Sequence, residues 1–410
     1  TVESPEGRAA LFETADNAFD AMIDLQIRAS HADSAFGFLE RERAAAKLAV
    51  VEQRSATSGP QTPTLESVAA HVPDTMLFVE YAVLRDRTIA WTATRRGTGH
   101  YVIPVARDTI AALVAQFMRE ASIPGARPGD ARSRLFDILL GPLSRDLERV
   151  NEISVVCDRE LAQIPFAALW DSRAKAYVIE RYRIRTEPSA AFLLAAQSVV
   201  PPRGQRRTAL VVGNPALDST MIQLDALPGA EREARTVAKL YSSSTLLIGA
   251  DARRDTVVSL LRTPKVFHFA GHAVFNGDRP ELSYLALGSP RGRDGTGALE
   301  AREISQLRLS NLEIVVLSAC RTLSSRSSRT GAVAGLASSF LRAGAPAIIS
   351  TLWDVSDDVT EPLLATFHRH FAEGVSAADA LRSAQLEAIA VRSGQRAAPA
   401  AWAAFIYAGP

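Results

Sequence analysis

The chain has few cysteines and no long apolar run, and each of these absences excludes a class of site or segment. Cys157 and Cys320 are the only cysteines among 410 residues. Two cysteines exclude a disulfide framework and a cysteine-rich zinc site, and they fit a reducing compartment, so a cytoplasmic location is expected. Arg342 interrupts the richest apolar stretch, 331–353, so the sequence contains no candidate membrane span.

The chain also lacks an excess of either charge. It has 46 Lys and Arg against 45 Asp and Glu, with a formal net charge of +1. Arginines alternate with acidic residues instead of forming a basic block, so no nucleic-acid partner is expected. His368 and His370 are two positions apart on a predicted helix and point to different faces. No other histidine and carboxylate group has metal-ligand spacing, so we expect neither a metal nor a cofactor.

The first residues, TVESPEGRAALFE, are acidic and polar and do not resemble a signal peptide. No methionine begins the chain, which predicts that it is part of a longer protein. The hydrophobic content of 47% and the charged content of 22% are those of an ordinary globular protein with an ample core. At this length, two or three domains are expected.

The first half of the chain divides into two regions. Residues 1–72 are predicted to be helical up to about residue 56, followed by the linker-like TSGPQTPT (57–64) and a short helix. Residues 73–204 predict an α/β region. Its predicted elements are a three-stranded meander (76–105), two amphipathic helices (108–121 and 129–149), a strand (153–157) and a hairpin-like segment (177–188).

The second half, residues 205–410, alternates apolar runs with helices. Strands are predicted at 209–213, 245–249, 266–271, 282–288, 313–320, 347–353 and 404–409, and helices at 229–241, 253–262, 300–306, 331–343, 357–372 and 376–390. Strands that are apolar on both faces and alternate with helices indicate a mostly parallel, doubly wound α/β sheet. In such sheets the reactive residues lie at the carboxyl ends of the strands.

His272 and Cys320 both occupy such ends. VFHFAG runs into His272, and EIVVLSAC ends at Cys320. Two adjacent parallel strands that end in these residues bring their side chains together at one edge of the sheet. Their separation of 48 positions is close to the spacing of about 50 found in caspases.

The pair suits nucleophilic catalysis. A free thiol with a pKa of about 8.5 is mostly protonated at neutral pH, and an adjacent imidazole accepts its proton. The thiolate then attacks a carbonyl, and the histidine protonates the leaving amine. The small residues Gly271 and Ala273 leave room for a substrate backbone. The backbone N–H groups of Cys320 and of Ala273 or its neighbour are the expected oxyanion donors, and Gly271 is a further backbone candidate.

Either residue alone is more often part of a core than of an active site. Cys157 also ends an apolar strand, but Asp158 and Arg159 follow it, so we predict a structural cysteine. His268 shares a pleat face with His272. It either helps to orient His272 or is a buried structural residue.

At this point the sequence resembles a known family. VFHFAGHAVF, LEIVVLSACRT, GAVAGLASSFLRAGAPAIISTLWDVSDDVT and ALRSAQLEAI with AWAAFIYAGP, preceded by LPGAEREARTVAKL, look like the CHAT domain. This caspase-like peptidase domain belongs with separase, caspases and gingipains. The resemblance covers about 75–410, and AFGFLERERAAAKLAV looks like the end of a tetratricopeptide-like helical region.

The resemblance implies a caspase-like sheet at 205–410, with residues 73–204 forming a pseudo-caspase-like half that packs on it. His272 and Cys320 match the family's catalytic histidine and cysteine. Ala273 departs from the glycine that often follows this histidine, which weakens its assignment as an oxyanion donor.

The segment TLWDVSDDVT resembles the region of separase in which acidic residues read an arginine before the cleaved bond. Asp354 and Asp357 are therefore candidate residues of a pocket for Arg or Lys. Alternatively, Asp357 caps the helix 357–372. If the pocket is acidic, Arg326 or Arg329 in the loop after Cys320 is a possible self-cleavage site.

The leading hypothesis is a cysteine endopeptidase that cleaves specific protein substrates and is regulated by a protein partner bound through the N-terminal helices. The alternative is a catalytically silent CHAT scaffold for protein interaction. A nucleotide-binding α/β domain is disfavoured because no GxGxxG or GxxxxGK[ST] loop follows a strand. The Ala- and Arg-rich composition suggests a bacterial source.

Overall fold

The computed structural model describes residues 5–51, 62–123, 129–196, 207–217, 224–277, 279–289, 296–319, 335–390 and 397–410; at 5–16, 44–51, 196 and 357 it describes the backbone only. Two helices, α1 (Pro5–Arg28) and α2 (Ala32–Val51), open the chain as the apolar spacing predicts. No helix within these ranges is both long and apolar enough to cross a lipid bilayer.

The first α/β half alternates strands with short helices. Its elements are α3 (Leu65–Ala69), β1 (Met76–Val83), β2 (Thr88–Thr94), β3 (Gly97–Ile103), α4 (Arg107–Ser122), α5 (Ala131–Leu139), α6 (Ser144–Leu147), β4 (Glu152–Val156), β5 (Trp170–Asp171), β6 (Ala176–Tyr177), α7 (Val178–Arg181), β7 (Arg183–Glu187) and α8 (Ala190–Ala196). β1, β2 and β3 form the predicted antiparallel meander.

Two sequence predictions for this half are wrong. The helix expected over 129–149 ends at Leu139 and resumes only as α6, because Gly141 and Pro142 start a 3₁₀ turn between the two helices. The hairpin-like segment 177–188 is not a hairpin. β6 pairs with β5, one helical turn follows, and β7 then runs parallel to β4.

The second half of the chain, from residue 208 onward, consists mainly of strands that alternate with helices. Its elements are β8 (Thr208–Pro215), α9 (Pro228–Lys239), β9 (Ser243–Gly249), α10 (Arg254–Leu260), β10 (Val266–Ala270), β11 (Ala273–Val274), β12 (Tyr284–Ala286), β13 (Ala298–Glu300), α11 (Ala301–Ile304), β14 (Ile314–Ser318), α12 (Leu336–Ala343), β15 (Ile348–Thr351), α13 (Asp357–Ala372), α14 (Ala377–Ile389) and β16 (Phe405–Ala408). The strand predicted at 282–288 is shorter than expected and pairs with β11 and β13 in a small separate sheet.

Eleven strands of the described ranges form one continuous sheet in the order β3-β2-β1-β4-β7-β16-β15-β14-β10-β8-β9. Pairing in this sheet is antiparallel within the meander and between β15 and β16, and parallel at its other junctions. The expected mostly parallel sheet flanked by helices is confirmed. The halves join where Ala408 of β16 lies beside Thr186 of β7.

The central strands are apolar because helices cover both of their faces. All five residues of β10 and all four of β15 are buried. β14 is buried from Ile314 to Leu317. Such strands read as continuous hydrophobic runs, which is the pattern that predicts a parallel sheet.

The N-terminal helices share a core with the first half. Phe36 of α2 packs against Trp91 of β2, with ring centroids 6.1 Å apart. The indole N–H of Trp91 donates to the carbonyl of Ala32 over 2.9 Å. Arg43 of α2 forms a fully buried ion pair with Glu80 of β1, at 2.8 Å between Nε and Oε1.

Candidate active site

The candidate site lies at the carboxyl ends of β10 and β14. These strands are adjacent and parallel, and Ala270 is paired with Ser318 in their register. The backbone N–H of Gly271 donates to the carbonyl of Ser318 over 3.3 Å. His272 is thus two residues past the end of β10. Cys320 is two residues past β14, outside the described residues, as are Arg326 and Arg329.

His272 is held by the backbone of another segment. Its Nε2 lies 2.7 Å from the carbonyl oxygen of Asp225. A carbonyl oxygen only accepts hydrogen bonds, so Nε2 carries a proton and donates it to this contact. In the neutral ring, Nδ1 then has the free lone pair. This tautomer leaves Nδ1 as the nitrogen that acts as a base.

Asn214 supports the segment that contains Asp225. It stands at the carboxyl end of β8, and its Oδ1 accepts a hydrogen bond from the N–H of Leu227 over 2.8 Å. Its φ of 44° lies in the left-handed region, which costs a non-glycine residue energy and favours asparagine among such residues. The strained Asn214 therefore fixes the chain that leads to the carbonyl bonded by His272.

Gly271 and Ala273 flank the histidine. A Cβ on Gly271 would lie 2.9 Å from Cζ of Phe269 and 3.2 Å from Cδ of Pro215, so the position suits glycine. The N–H of Ala286 donates to the carbonyl of His272 over 2.9 Å. Ala273 and Leu285 therefore oppose each other as a non-hydrogen-bonded pair, and the N–H of Ala273 points away from β12.

The end of β15 lies on the same rim. β15 pairs in parallel with β14, and the hydroxyl of Thr351 donates to the carbonyl of Ala319. Asp354 follows three residues later and is exposed. Ser356 is the N-cap residue of α13 without a side-chain cap bond, and Asp357 is the first residue of that helix. The structure describes only the backbone of Asp357.

Behind the rim lies a buried polar network that includes His268. Nε2 of His268 is 2.9 Å from Oε1 of Glu233, and Nδ1 is 3.0 Å from Nε2 of His368. Both ring nitrogens thus have partners other than His272, so His268 does not orient His272 by a direct hydrogen bond. His368 faces the core and His370 contacts Glu387, as their predicted separation onto different faces requires.

The network continues at both ends. The hydroxyl of Ser318 donates to Oε2 of Glu233 over 3.1 Å, and the hydroxyl oxygen of Tyr241 lies 2.7 Å from Nδ1 of His368. Burial, followed by the charge of His268, lowers the pKa of His368 well below its ordinary value. Burial raises the pKa of Tyr241. Both groups are therefore neutral at neutral pH.

Sequence reasoning missed this network. Glu233 follows Ala230 by three positions and precedes Val237 by four, so it interrupts the buried stripe of α9. His368 lies among apolar residues of α13 in the same way, beside Phe367 and one turn after Leu364. A charged or titratable residue on the apolar stripe of a helix is the sequence signal for a buried polar network of this kind.

Cys157 is remote from this chemistry. It is buried at the end of β4, and burial raises the pKa of its thiol to about 12. Its carbonyl accepts a hydrogen bond from Nη1 of Arg43 over 3.0 Å. A thiol with this pKa is neither a nucleophile nor a metal ligand at neutral pH. Within the described ranges, no group of three or more His, Cys, Asp or Glu residues is arranged to hold a metal ion.

Comparison with known proteins gives three findings. The sequence model of the CHAT domain matches residues 130–410. The chain is 26% identical over 323 residues to human tetratricopeptide repeat protein 28 and 27% identical over 324 residues to the mouse protein, in each case covering 67% of this chain. It spans only 13% of the length of either relative.

Among solved structures, the Saccharomyces cerevisiae separase–securin complex at 3.0 Å resolution is similar in fold. The TM-score is 0.59 at 11% sequence identity, and the match covers 93% of this chain and 34% of that chain. At this identity the likeness shows a shared architecture. It therefore supports the caspase-like sheet described above.

Proposed function

Because this chain belongs to the CHAT domain family, we propose that it is a cysteine endopeptidase in which His272 and Cys320 form the catalytic dyad. The observation that carries the proposal is the hydrogen bond from Nε2 of His272 to the carbonyl of Asp225. It fixes the tautomer that a general base requires, at the carboxyl end of a strand whose parallel neighbour leads to Cys320.

The proposed reaction is acyl transfer. Nδ1 of His272 accepts the proton of the Cys320 thiol, and the thiolate sulfur forms a bond to the scissile carbonyl carbon. The carbonyl π electrons move to oxygen, where the backbone N–H groups of Ala273 and Cys320 stabilise the negative charge, each contributing ~10²–10³ in rate. Collapse breaks the C–N bond, and His272 protonates the leaving amine. Water then hydrolyses the thioester and restores the thiol.

A cleavage profile on a diverse peptide library tests the proposal. Wild-type protein is expected to cleave a subset of peptides, and Cys320→Ala and His272→Ala are expected to cleave none. Cys157→Ala serves as the matched control, because it removes the other cysteine without touching the site. Cleavage that survives in Cys320→Ala, or no cleavage by wild type, would contradict the proposal.

We also propose that the substrate pocket favours Arg or Lys before the cleaved bond. Asp354 is exposed and stands beyond the end of β15, on the rim that carries His272. A carboxylate in a pocket of this kind binds a guanidinium through paired, charge-assisted hydrogen bonds. Asp357, the first residue of α13, is the second candidate.

Self-cleavage after Arg326 or Arg329 is a further proposal that depends on this preference. Intact mass after prolonged incubation tests it, with wild type compared to Cys320→Ala. Fragments whose masses correspond to cleavage after either arginine, in wild type alone, are the expected result. Identical intact masses in the two proteins would contradict it.

We propose that a protein partner regulates the enzyme through the N-terminal helices. Buried contacts tie these helices to the first half, since Oε1 and Oε2 of Glu40 accept hydrogen bonds from the N–H groups of Ala190 and Ala191 at the start of α8. A partner that displaces α2 would break these contacts and also the buried pair of Arg43 with Glu80 of β1, which belongs to the large sheet. The low cysteine content supports a cytoplasmic location for this partnership.

The second candidate is a protein-interaction module without peptidase activity. The names of the relatives support it, because they describe tetratricopeptide repeat proteins. The library experiment separates the two candidates, since an interaction module would show no cleavage that depends on Cys320.

A further inference from the structure

Glu233 is a carboxylate at the centre of the buried network behind the proposed site. It is 3% exposed, and each of its two oxygens contacts a different strand of the sheet. Oε1 contacts His268 of β10 at 2.9 Å, and Oε2 accepts the hydroxyl hydrogen of Ser318 of β14 over 3.1 Å. The contact with His268 is an ion-pair approach between a carboxylate oxygen and an imidazole nitrogen, and the contact with Ser318 is a hydrogen bond.

The two strands are also joined directly, next to Glu233. The carbonyl of Ser318 accepts a hydrogen bond from the N–H of Gly271, the residue before His272. Ser318 therefore contacts β10 through its carbonyl and α9 through its hydroxyl. The Glu233 side chain consequently links α9 to the strand ends where the proposed chemistry takes place.

α9 has its own connection to His272. The helix starts at Pro228, directly after the segment in which Asn214 holds Leu227 and Asp225 accepts from His272. The position of α9 against the sheet thus determines where the carbonyl of Asp225 lies. A shift of the helix would move the hydrogen bond that fixes the tautomer of His272.

We infer that Glu233 is a positioning residue of the proposed active site, which holds α9 and the Asp225 carbonyl in register with the ends of β10 and β14. The inference rests on the proposed function. Among the described residues, Glu233 contacts His268 and Ser318 and makes no contact with His272. It acts through its contacts with His268 and Ser318. The other titratable side chains of the buried network are His368, which contacts His268, and Tyr241, which contacts His368.

Burying a carboxylate without good partners is costly, so its hydrogen bond from Ser318 and its close contact with His268 stabilise one arrangement of helix and strands over others. Replacing it by glutamine keeps the volume, but one of the two terminal oxygens becomes an amide nitrogen that cannot accept the Ser318 hydroxyl or pair with an imidazolium. One of the two strand contacts is then weakened. A displacement of about 1 Å at a catalytic group lowers the rate ~10²-fold.

The test compares Glu233→Gln with Glu387→Gln. Glu387 is the matched control because it also contacts a histidine, with 3.2 Å between its Oε1 and Nε2 of His370, but its side chain is 55% exposed and lies on α14. Glu233→Gln is expected to lower kcat ~10²-fold with little change in KM, since only the placement of the histidine changes. Glu387→Gln is expected to match wild type in both constants.

A second readout does not depend on peptidase activity. In the chain labelled with ¹⁵N-histidine, the hydrogen-bonded Nε2–H of His272 gives an imidazole signal that is identified by its loss in His272→Gln. This signal is expected to shift or exchange with water in Glu233→Gln, and to stay in place in Glu387→Gln. The absence of peptide cleavage by wild type would overturn the proposed function. The His272 signal in Glu233→Gln would still show whether Glu233 positions this histidine.

Ser318→Ala covers the case in which Glu233→Gln fails to fold, because it removes one hydrogen bond and leaves the carboxylate in place. It is expected to move the His272 signal in the same direction. An unchanged His272 signal in Glu233→Gln, or in Ser318→Ala where Glu233→Gln does not fold, would overturn the inference. An unchanged kcat in a folded Glu233→Gln would also overturn it when the wild-type enzyme is active.

Discussion

The Nε2–H of His272 donates to the main-chain carbonyl of Asp225 across 2.7 Å. A carbonyl oxygen has no proton to lose or gain near neutral pH, so the acceptor of this contact does not change with its own ionisation. The orientation of His272 then depends on the backbone of the segment that contains Asp225. Each change that loosens this segment should therefore weaken catalysis without removing a catalytic group.

Asn214 offers the first such change. Asn214→Gly keeps the left-handed backbone at φ 44° but loses the side-chain bond to Leu227, whereas Asn214→Ala loses the bond and adds about 1 kcal/mol of backbone strain. Both variants are expected to lower kcat similarly, and Asn214→Ala is expected to have the lower Tm. Peptide cleavage and thermal unfolding measure the two effects. A kcat equal to that of wild type in Asn214→Gly would show that the side chain does not support His272.

Asp354 should decide the preference for basic residues. Charge-assisted hydrogen bonds contribute ~1.5–3 kcal/mol, so Asp354→Asn is expected to lower kcat/KM for Arg peptides at least ~10-fold. Peptides with a neutral residue before the cleaved bond should be cleaved as by wild type. Asp358→Asn, one turn further along the chain, is the control. Equal losses on Arg and neutral peptides would remove Asp354 from the pocket.

Arg43 and Glu80 test how firmly the N-terminal helices are attached. The side chains of this ion pair are 3% and 0% exposed, respectively. Arg43→Ala takes away the positive partner of a buried carboxylate, and we expect unfolding free energy to fall by ~3–5 kcal/mol. Arg28→Ala breaks an exposed pair with Asp24 and should cost less than ~1 kcal/mol. Denaturant unfolding measures both, and equal losses would contradict the buried attachment.

Cys157 should make the fold sensitive to alkali. Burial raises the pKa of its thiol from 9.0 to about 12, so the unfolded chain loses this proton at lower pH than the folded chain. Stability that is present below about pH 9 is therefore lost as the pH rises towards 12, by ~4 kcal/mol for the full shift.

Thermal unfolding of Cys157→Ala across the same pH range tests whether the Cys157 thiol causes the loss of stability in alkali. Its Tm is expected to fall less steeply with rising pH than that of wild type, although buried tyrosines still contribute to the fall. The comparison uses each protein's own Tm at neutral pH as its reference. Parallel curves for the two proteins would assign the alkaline loss to other groups.

The sequence predicted the parts of the fold that depend on local pattern. The continuous apolar runs of β10 and β14 predicted parallel strands, and their ends singled out His272. The helical spacing over 129–149 predicts one helix, but Pro142 lies within it and begins a 3₁₀ turn that separates α5 from α6. The alternation at 183–187 indicates a strand but does not reveal whether its partner is close in sequence or distant, and β7 pairs with the more distant β4.

The support of the site was not predictable in the same way. Glu233 meets His268 and Ser318 across 35 and 85 residues of chain, respectively, and His268 meets His368 across 100. The Asp225 contact uses a carbonyl, which every residue has, so no residue type marks it. Such contacts arise from how α9 and α13 pack on the sheet, and that packing is not encoded in any short motif.

The most direct test of the dyad is the pH dependence of cysteine alkylation, read by mass spectrometry for Cys320 and Cys157 separately. The account predicts that Cys320 of wild type reacts with iodoacetamide at a midpoint below about pH 8.5, and that His272→Ala returns the midpoint to about 8.5. Cys157 should stay unreacted in both folded proteins, as its raised pKa requires. An identical Cys320 profile in wild type and His272→Ala would contradict the central claim.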